Sequence, residues 1–274
     1  MKHSVLFFAI SILTLFSHGQ TNLFCYGPAN DDCTFSMNSY DKKIIKDHKI
    51  DTVCVTIDFS GEKTERFYAF DKLGNLTYSV TFDETGNKTS ESILKYNPQG
   101  QLISKKDKEE MIDDNTAYFY NTSNQLIKTV TKNKANESIT VSYTYSKQKL
   151  VEEIRKESTG KLISKYKYDA QGRLIDFTLL TLKGSDTKGS VAMHKSTSYD
   201  SRGNKSLEEV TFFTKDTVVY QYDENNKLIS VQKGKNEAKY FYNNAGLLVQ
   251  KEITKFLIDS PMAYTEKYRY VVRQ

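Results

Sequence analysis

Pairs of tyrosines are the residues of this sequence whose type and spacing best suit a recognition chemistry. In a Tyr-x-Tyr pair both rings project from the same face of a strand, because successive side chains alternate between faces. A tyrosine offers an apolar ring and a hydroxyl, which suits glycans and protein partners. The same rings can instead form a core by packing across strands. The candidate ligand-facing residues are Tyr143, Tyr145, Tyr166, Tyr168, Tyr220, Tyr222, Tyr240 and Tyr242.

Signatures of catalysis are absent from the sequence. It contains no G-x-S-x-G, H-E-x-x-H or G-x-G-x-x-G motif. His48 and His194 are isolated, so they indicate no Ser/His or Cys/His pair. Acidic residues are plentiful, and a carboxylate pair of the glycoside hydrolase type stays open as an alternative. We therefore expect a protein that is not an enzyme, with no catalytic residue, no cofactor and no metal.

The three cysteines, Cys25, Cys33 and Cys54, are candidates for one disulfide. In an oxidising compartment one pair can form a bridge, which leaves one thiol over. A Cys25–Cys33 bridge would close a small loop and a Cys33–Cys54 bridge a larger one, and the sequence does not choose between them. A zinc site is not indicated, because no C-x-x-C occurs.

The charges are mixed along the chain, with 39 basic and 34 acidic residues. The lysines at positions 105, 106 and 108 are offset by acidic residues at 107, 109 and 110, which indicates a solvated face. Nucleic-acid binding usually needs a clustered basic stripe. We therefore expect no nucleic-acid partner.

Residues 1–19 have the pattern of a signal peptide. Lys2 precedes an apolar run from Val5 to Phe16, and small residues stand before Gln20, the expected first mature residue. The run is shorter than the roughly 20 residues that span a bilayer, and no later segment is apolar enough. A lipoprotein is less favoured, because Phe24 precedes Cys25 where a small residue is needed. The expected location is the periplasm, the cell surface or the medium.

One motif recurs along the chain: an aromatic residue, Asp or Asn, two free positions, Gly or Asn, one free position and usually Leu. Its main copies begin at intervals of about 20 to 31 residues. Asp or Asn can accept hydrogen bonds from backbone N–H groups two residues on. The later Gly or Asn suits a left-handed backbone, so the motif predicts a type I turn closed by a bulge. The predicted turn residues are Gly74, Gly86, Gly100, Asn124, Gly172, Gly203, Asn226 and Gly246.

The segments between these turns alternate apolar and polar residues, as half-buried strands do. Ile139, Val141 and Tyr143 alternate with Thr140 and Ser142, for example. The sequence thus predicts an all-β fold, an antiparallel meander of roughly 16 to 18 strands built from tandem β-hairpin repeats. We expect an open, twisted or coiled sheet over residues 67–274, preceded by a cysteine-containing segment over residues 20–66. A short helix is allowed only between Ser39 and Asp51.

Tyr166–Leu174 resembles the YD repeat of Rhs-type proteins, whose usual form is Y-x-Y-D-x-x-G-R-L. The resemblance covers roughly residues 67 to 272. It implies hairpins that coil, since long members of that family form a hollow β-sheet shell around a toxin or other cargo. It also implies a tendency toward carbohydrate or cell-surface binding.

Together these features predict an exported, non-catalytic binding or scaffold protein. The expected partner is a carbohydrate or an envelope protein. A self-associating envelope structural protein is the alternative, because a long meander has two edge strands that can pair with another copy. A polysaccharide-active enzyme is the third reading.

Overall fold

The computed structural model describes residues 42–157, 160–183, 189–257 and 260–273. These residues form one short helix, α1 (Lys42–Asp47), and 18 strands in a single antiparallel sheet. The strands are β1 (Ile50–Phe59), β2 (Glu62–Phe70), β3 (Leu76–Phe82), β4 (Lys88–Tyr96), β5 (Leu102–Glu109), β6 (Asp113–Tyr120), β7 (Leu126–Lys132), β8 (Ser138–Ser146), β9 (Lys149–Glu157), β10 (Gly160–Tyr168), β11 (Leu174–Lys183), β12 (Ser190–Tyr199), β13 (Lys205–Thr211), β14 (Lys215–Tyr222), β15 (Leu228–Lys233), β16 (Asn236–Tyr242), β17 (Leu248–Leu257) and β18 (Ser260–Val272).

The motif turns have the geometry of a type I turn followed by a left-handed residue. In the turn after β2, the Gly74 N–H donates to the Asp71 carbonyl at 3.0 Å, and one carboxylate oxygen of Asp71 accepts from the Leu73 and Asn75 N–H groups. All eight predicted turn residues have φ between +61° and +87°. The β8–β9 copy, which is one residue short, has left-handed backbone at both Lys147 and Gln148 instead.

Eight of the described motif turns lie at one end of the sheet, which we call the motif end. They connect β2 to β3, β4 to β5 and so on to β16 and β17, so each follows a strand that runs in the same direction. The copy around Gly86 connects β3 to β4 and therefore lies at the opposite end. Its similarity to the other copies is one of local turn chemistry only.

The expectation of an open sheet was wrong, because the sheet closes into a barrel. β1 pairs with β18 from Ile50–Val272 to Phe59–Tyr264, and it pairs with β2 on its other side. The physical reason lies in the motif, because each copy places a register shift of one residue beside its turn, as between Lys167 and Tyr168. Such bulges bend a strand and increase its twist. Repeated around the sheet, they bring the first and last strands together.

The closing seam is also held by a side chain. The Arg273 backbone N–H donates to the Lys49 carbonyl at 2.9 Å, and its guanidinium contacts the Asp51 carboxylate at 3.0 Å. The same guanidinium donates to the carbonyl of Phe70 on β2. Arg273 thus connects the end of β18 to both β1 and β2, more than 200 residues earlier in the chain.

A closed sheet has an inner and an outer face, and strand register separates them. The least exposed side chains share the face that carries the tyrosine pairs, among them Tyr166, Phe177, Leu179 and Met193. We call this the inner face. Helix α1 covers part of it at the motif end, because Ile45 packs with Phe70 and other inner residues. The outer face carries exposed charges such as Lys106, Lys128, Lys165, Lys239 and Lys267.

Some of the sequence predictions concern residues outside the described part of the chain. They are the signal peptide over residues 1–19 and the two cysteines Cys25 and Cys33. Cys54 is described and lies buried on β1, with no disulfide to another described residue. The sheet begins at Ile50, within the segment predicted to precede the repeats.

Candidate binding surface inside the barrel

The second tyrosine of most motif copies serves as a link between hairpins. Its hydroxyl donates to the backbone carbonyl of the motif leucine, which lies at or next to the start of the second strand of the preceding hairpin, as from Tyr168 to Leu150 at 2.8 Å. Cations from the preceding turn cover some of these rings, with Arg173 4.5 Å from the Tyr199 ring centre. The donors of this tyrosine ladder are Tyr96, Tyr120, Tyr145, Tyr168, Tyr199, Tyr242 and Tyr270, with oxygen–oxygen distances of 2.6 to 2.9 Å.

All eight tyrosines predicted to face a ligand lie on the inner face. Among the first tyrosines of the pairs, Tyr143, Tyr166 and Tyr240 are buried. The Tyr166 hydroxyl donates to Glu153 at 3.2 Å and the Tyr220 hydroxyl to Glu208 at 2.5 Å. The remaining members, Tyr145, Tyr168, Tyr220, Tyr222 and Tyr242, are half-buried. A role in ligand binding stays a prediction for these residues, whose hydrogen bonds also give most of them a structural role.

The inner face differs in chemistry between its two halves. From β10 to β17 it is mainly apolar, with clusters around Phe177 and Met193 and around Val231 and Ile253. From β3 to β7 hydroxyls and carboxylates replace the aliphatic side chains. We call this second half the polar sector and define it by inner residues in register across neighbouring strands: Ser79, Ser92, Lys105, Asp107, Asp114, Thr116, Tyr118, Thr129 and Thr131.

Asp107 is the centre of hydrogen bonding in the polar sector. Its carboxylate accepts from the Ser92 hydroxyl at 2.5 Å and pairs with Lys105 at 2.8 Å. Asp114 lies directly opposite Asp107 in the β5–β6 ladder, so two carboxylates face each other across strands. Like charges placed so are normally destabilising. The ion pair of Lys105 with Asp107 offsets part of this repulsion.

Tyr118 is the aromatic residue of the polar sector. It stands on β6 beside the carboxylates and is half-buried. Burial raises the pKa of the Tyr118 hydroxyl, and the charge of Asp107 raises it further. The hydroxyl therefore stays protonated and able to donate at physiological pH. Most other members of the sector are also half-buried, so their polar atoms remain partly accessible on the inner face.

A second polar group, the Glu208 cluster, lies on the inner face of β12 to β14. Glu208 is 1% exposed and contacts Lys195 and Lys205, each at 3.0 Å. Burial alone would raise the pKa of Glu208, but the attraction of the two lysines and the Tyr220 hydrogen bond outweigh it and lower the pKa. Burial lowers the pKa of Lys195. Glu208 is therefore held as a carboxylate.

A third group of inner ionisable side chains joins β17 to β18. Lys251 and Glu266 face each other across the strands with 3.8 Å between charged atoms, and both are almost fully buried. The Tyr268 hydroxyl donates to Glu266, and the ammonium of Lys251 lies 5.8 Å from the Tyr240 ring centre. Burial raises the pKa of Tyr268, as does the charge of Glu266. One lysine here balances one carboxylate.

Sequence reasoning did not find the Lys195–Glu208 and Lys251–Glu266 pairs, because the two partners of each pair are separated by more than ten residues. It placed the lysines at 105, 106 and 108 on one solvated face. Strand alternation instead puts Lys105 inside with Asp107 and leaves Lys106 and Lys108 exposed outside. A usable signal existed at one position, since Lys205 stands where the motif usually has Leu.

The histidine and metal predictions can be compared with the described residues. His194 lies on the outer face, 2.8 Å from the Asp176 carboxylate, which Lys167 also contacts. Burial would raise the pKa of Asp176, but these neighbours lower it. Within the described ranges no group of three or more His, Cys, Asp or Glu residues could hold a metal ion. The described part of the chain also has no helix long and apolar enough to cross a membrane.

Comparison with known proteins leaves the family open. No family model and no curated protein matches the sequence. Among solved structures, a porin-like protein from Bacteroides uniformis is 8% identical, with a TM-score of 0.47 over 81% of this chain and 98% of that one. A TcdB2-TccC3 structure without its hypervariable C-terminal region is 12% identical, with a TM-score of 0.26 over 73% of this chain and 15% of that one. Similarities of this size assign neither family nor function.

Proposed function

We propose that this chain is an exported, non-catalytic binding protein of the YD-repeat type that holds a carbohydrate against the polar sector of its barrel. The observation that carries the proposal is the facing pair Asp107 and Asp114, set among hydroxyls and beside Tyr118 on the inner face. Barrels with many strands can enclose a ligand rather than fill with side chains. The motif residues around Tyr166–Leu174 support the YD-repeat part of the proposal.

The chemistry of the polar sector suits a sugar. An ionised carboxylate has two oxygens that accept hydrogen bonds from neighbouring sugar hydroxyls. Threonine and serine hydroxyls both donate and accept, and a tyrosine ring can pack on the apolar face of a pyranose. Thr116 and Thr131 lie 2.9 Å apart across β6 and β7, so their hydroxyls form a small row beside Asp114.

The outer face supports a water-exposed location, in agreement with export to the periplasm, the cell surface or the medium. Lysines are exposed on strands around the barrel, as at positions 128, 165 and 239. Long charged side chains are seldom placed where water cannot reach them. An envelope protein remains the alternative partner, and it would contact this outer surface.

The two other candidate functions, self-association and polysaccharide cleavage, depend on different features of the barrel. Self-association through free sheet edges loses its basis, because β1 and β18 pair with each other. A polysaccharide-active enzyme is favoured by one feature only, the Asp107–Asp114 pair, since two carboxylates can act as acid and base. Catalysis would require the bound glycan to be cleaved, whereas a binding protein releases it intact.

A matched pair of variants tests the proposal. Asp114 and Asp113 are adjacent in sequence, but Asp114 faces inward and Asp113 faces outward opposite Lys108. We expect a glycan array to identify a ligand, and Asp114→Asn to weaken its binding roughly tenfold or more in calorimetry, the scale of a lost charge-assisted hydrogen bond. Asp113→Asn should bind as the parent does. Circular dichroism controls for folding.

Three outcomes would count against the proposal. If Asp113→Asn and Asp114→Asn change the affinity for the glycan equally, the inner face does not determine binding. An array without any bound glycan would favour the protein partner. Shortened oligosaccharides after incubation, absent with Asp114→Asn, would favour the enzyme.

A further inference from the structure

One hairpin departs from the repeat on the inner face. At the motif end, the second aromatic residue of each described hairpin pairs with a leucine on the following strand, except in the β12–β13 hairpin, where Tyr199 pairs with Lys205. In the same hairpin Thr197 takes the place of the first tyrosine of the pair. In a repeat protein, consensus residues maintain the common packing. A cation in place of an apolar residue on the inner face therefore calls for a separate explanation.

Counted over the described residues, the Glu208 cluster holds one more positive charge than negative. Lys195 and Lys205 contact the same oxygen of Glu208, and they bring two charges to one carboxylate. Exposure falls from 36% at the Lys205 side chain to 8% at Lys195 and 1% at Glu208. Surplus charge away from water is costly unless an opposite charge compensates it. The balanced Lys251–Glu266 pair shows that this barrel does not need such a surplus.

A hydroxyl donor stands on the strand next to that of Lys205. Tyr222 is on β14, next to the strand of Lys205, and holds the second position of its motif copy. In the seven copies that form the tyrosine ladder, the second tyrosine donates to a backbone carbonyl. The Tyr222 hydroxyl makes no hydrogen bond with any residue of the described ranges. Burial raises the pKa of Tyr222, so the hydroxyl is a donor at physiological pH.

We propose that Lys205 and Tyr222 bind the carboxylate group of a ligand that enters the barrel at the motif end. Lys205 begins β13 close to its motif turn, and its side chain is partly exposed, which favours approach from the motif end. A single surplus charge matches a monovalent carboxylate better than a doubly charged phosphate. The carboxylate belongs either to an acidic sugar, such as a uronic acid, or to a free small carboxylic acid. This site lies on β13 and β14, outside the polar sector.

The chain offers a variant that restores the repeat and a control for it. Lys205→Leu introduces the residue found at the other motif-end copies and leaves Lys195 paired with Glu208. Lys88 has the same spacing to an acidic residue, with Glu91 at 3.1 Å three positions later, but it lies on the outer face near the opposite end. Lys88→Leu therefore removes the same charge without touching the proposed site.

The experiment is calorimetric titration with sodium glucuronate, sodium acetate and glucose, each up to about 10 mM, a range that covers millimolar affinity. We expect glucuronate to bind the parent chain and Lys88→Leu alike, and glucose not to bind at this site. Lys205→Leu should weaken glucuronate binding roughly tenfold or more, and Tyr222→Phe by a smaller factor. Binding of acetate with similar affinity would identify the free acid as sufficient, and binding of glucuronate alone would identify the sugar.

The proposal is overturned if neither carboxylate binds the parent chain, or if Lys205→Leu binds as the parent does. Should Lys205→Leu fail to fold, Lys205→Gln removes the charge with a smaller change in polarity and gives the same comparison. Asp114→Asn, the variant for the polar sector, should not alter carboxylate binding. A failure of the carbohydrate proposal is thereby distinguishable from a failure of this one.

Discussion

Removal of single hydroxyls from the tyrosine ladder should weaken the barrel by a definite amount. Tyr168→Phe deletes a 2.8 Å hydrogen bond to the Leu150 carbonyl and preserves the ring. The net contribution of such a bond is about 1 kcal/mol. In a chain of this size that loss lowers the thermal midpoint by roughly 2–4 °C. Tyr222→Phe is the matched control, because its hydroxyl has no described partner, and it should change the midpoint by less than about 1 °C.

A triple variant extends the test. Tyr120, Tyr168 and Tyr242 lie on β6, β10 and β16, at least four strands apart. With about 4.8 Å between neighbouring strands, the sites are more than 10 Å from one another, and their effects should add. We expect about 3 kcal/mol in urea denaturation for the combined Tyr→Phe changes, with an unchanged dependence on urea.

The ladder interpretation would be refuted by either of two results. If Tyr168→Phe and Tyr222→Phe have the same stability, the hydrogen bond from Tyr168 to the Leu150 carbonyl does not stabilise the barrel. If the triple variant is as stable as the parent, the tyrosines stabilise the barrel through their rings alone.

Three further predictions concern other parts of the barrel. Glu208→Gln should cost about 3–5 kcal/mol at pH 7, because it removes the buried carboxylate that both Lys195 and Lys205 contact. The pKa of Glu208 in the folded chain lies below its ordinary value of 4.5, so the stabilisation that ionised Glu208 contributes is present above pH 4.5 and is lost as the pH falls through the lowered pKa. The free energy of unfolding, measured from pH 6 to pH 3, should therefore depend less on pH in Glu208→Gln than in the parent chain. Arg273→Ala should lower the free energy of unfolding by about 1.5–3 kcal/mol and should speed amide hydrogen exchange in β1 and β18 but not in β8. Faster exchange in all strands alike would show that Arg273 does not stabilise the seam locally. Gly74 and Gly86 both have a φ near +80°, so Gly74→Ala and Gly86→Ala should each cost about 1–2 kcal/mol. Gly74→Ala should cost more in thermal unfolding, because its Cβ would lie 2.5 Å from a backbone oxygen of helix α1 whereas Gly86 faces open space.

Local features of the barrel could be predicted from the sequence because they depend on neighbours in the chain. Gly172 is an example, because its left-handed backbone follows from the turn that begins at Asp169, and that turn involves only five consecutive residues. Alternation along β8 likewise determines that Tyr143 and Tyr145 share a face. The resulting prediction of an antiparallel meander of 16 to 18 strands agrees with the 18 described strands.

Features that depend on distant residues could not be predicted in this way. The pairing of β1 with β18 joins Val55 to Tyr268, which are more than 200 residues apart, and no local pattern shows that the accumulated bend is sufficient to close the sheet. The Glu208 cluster arises because register aligns three strands, and a pattern along one strand contains no information on register with its neighbours.

The sequence by itself therefore determined where the chain reverses and which side chains share a face, since turn chemistry and strand alternation act within a few residues. Only the tertiary structure decided that this face is enclosed and that Asp107 and Asp114 meet on it, while Lys195, Lys205 and Glu208 meet elsewhere on the same face. The reason is that closure and register are summed over all the strands, so the enclosed polar surfaces exist only when the whole barrel is formed.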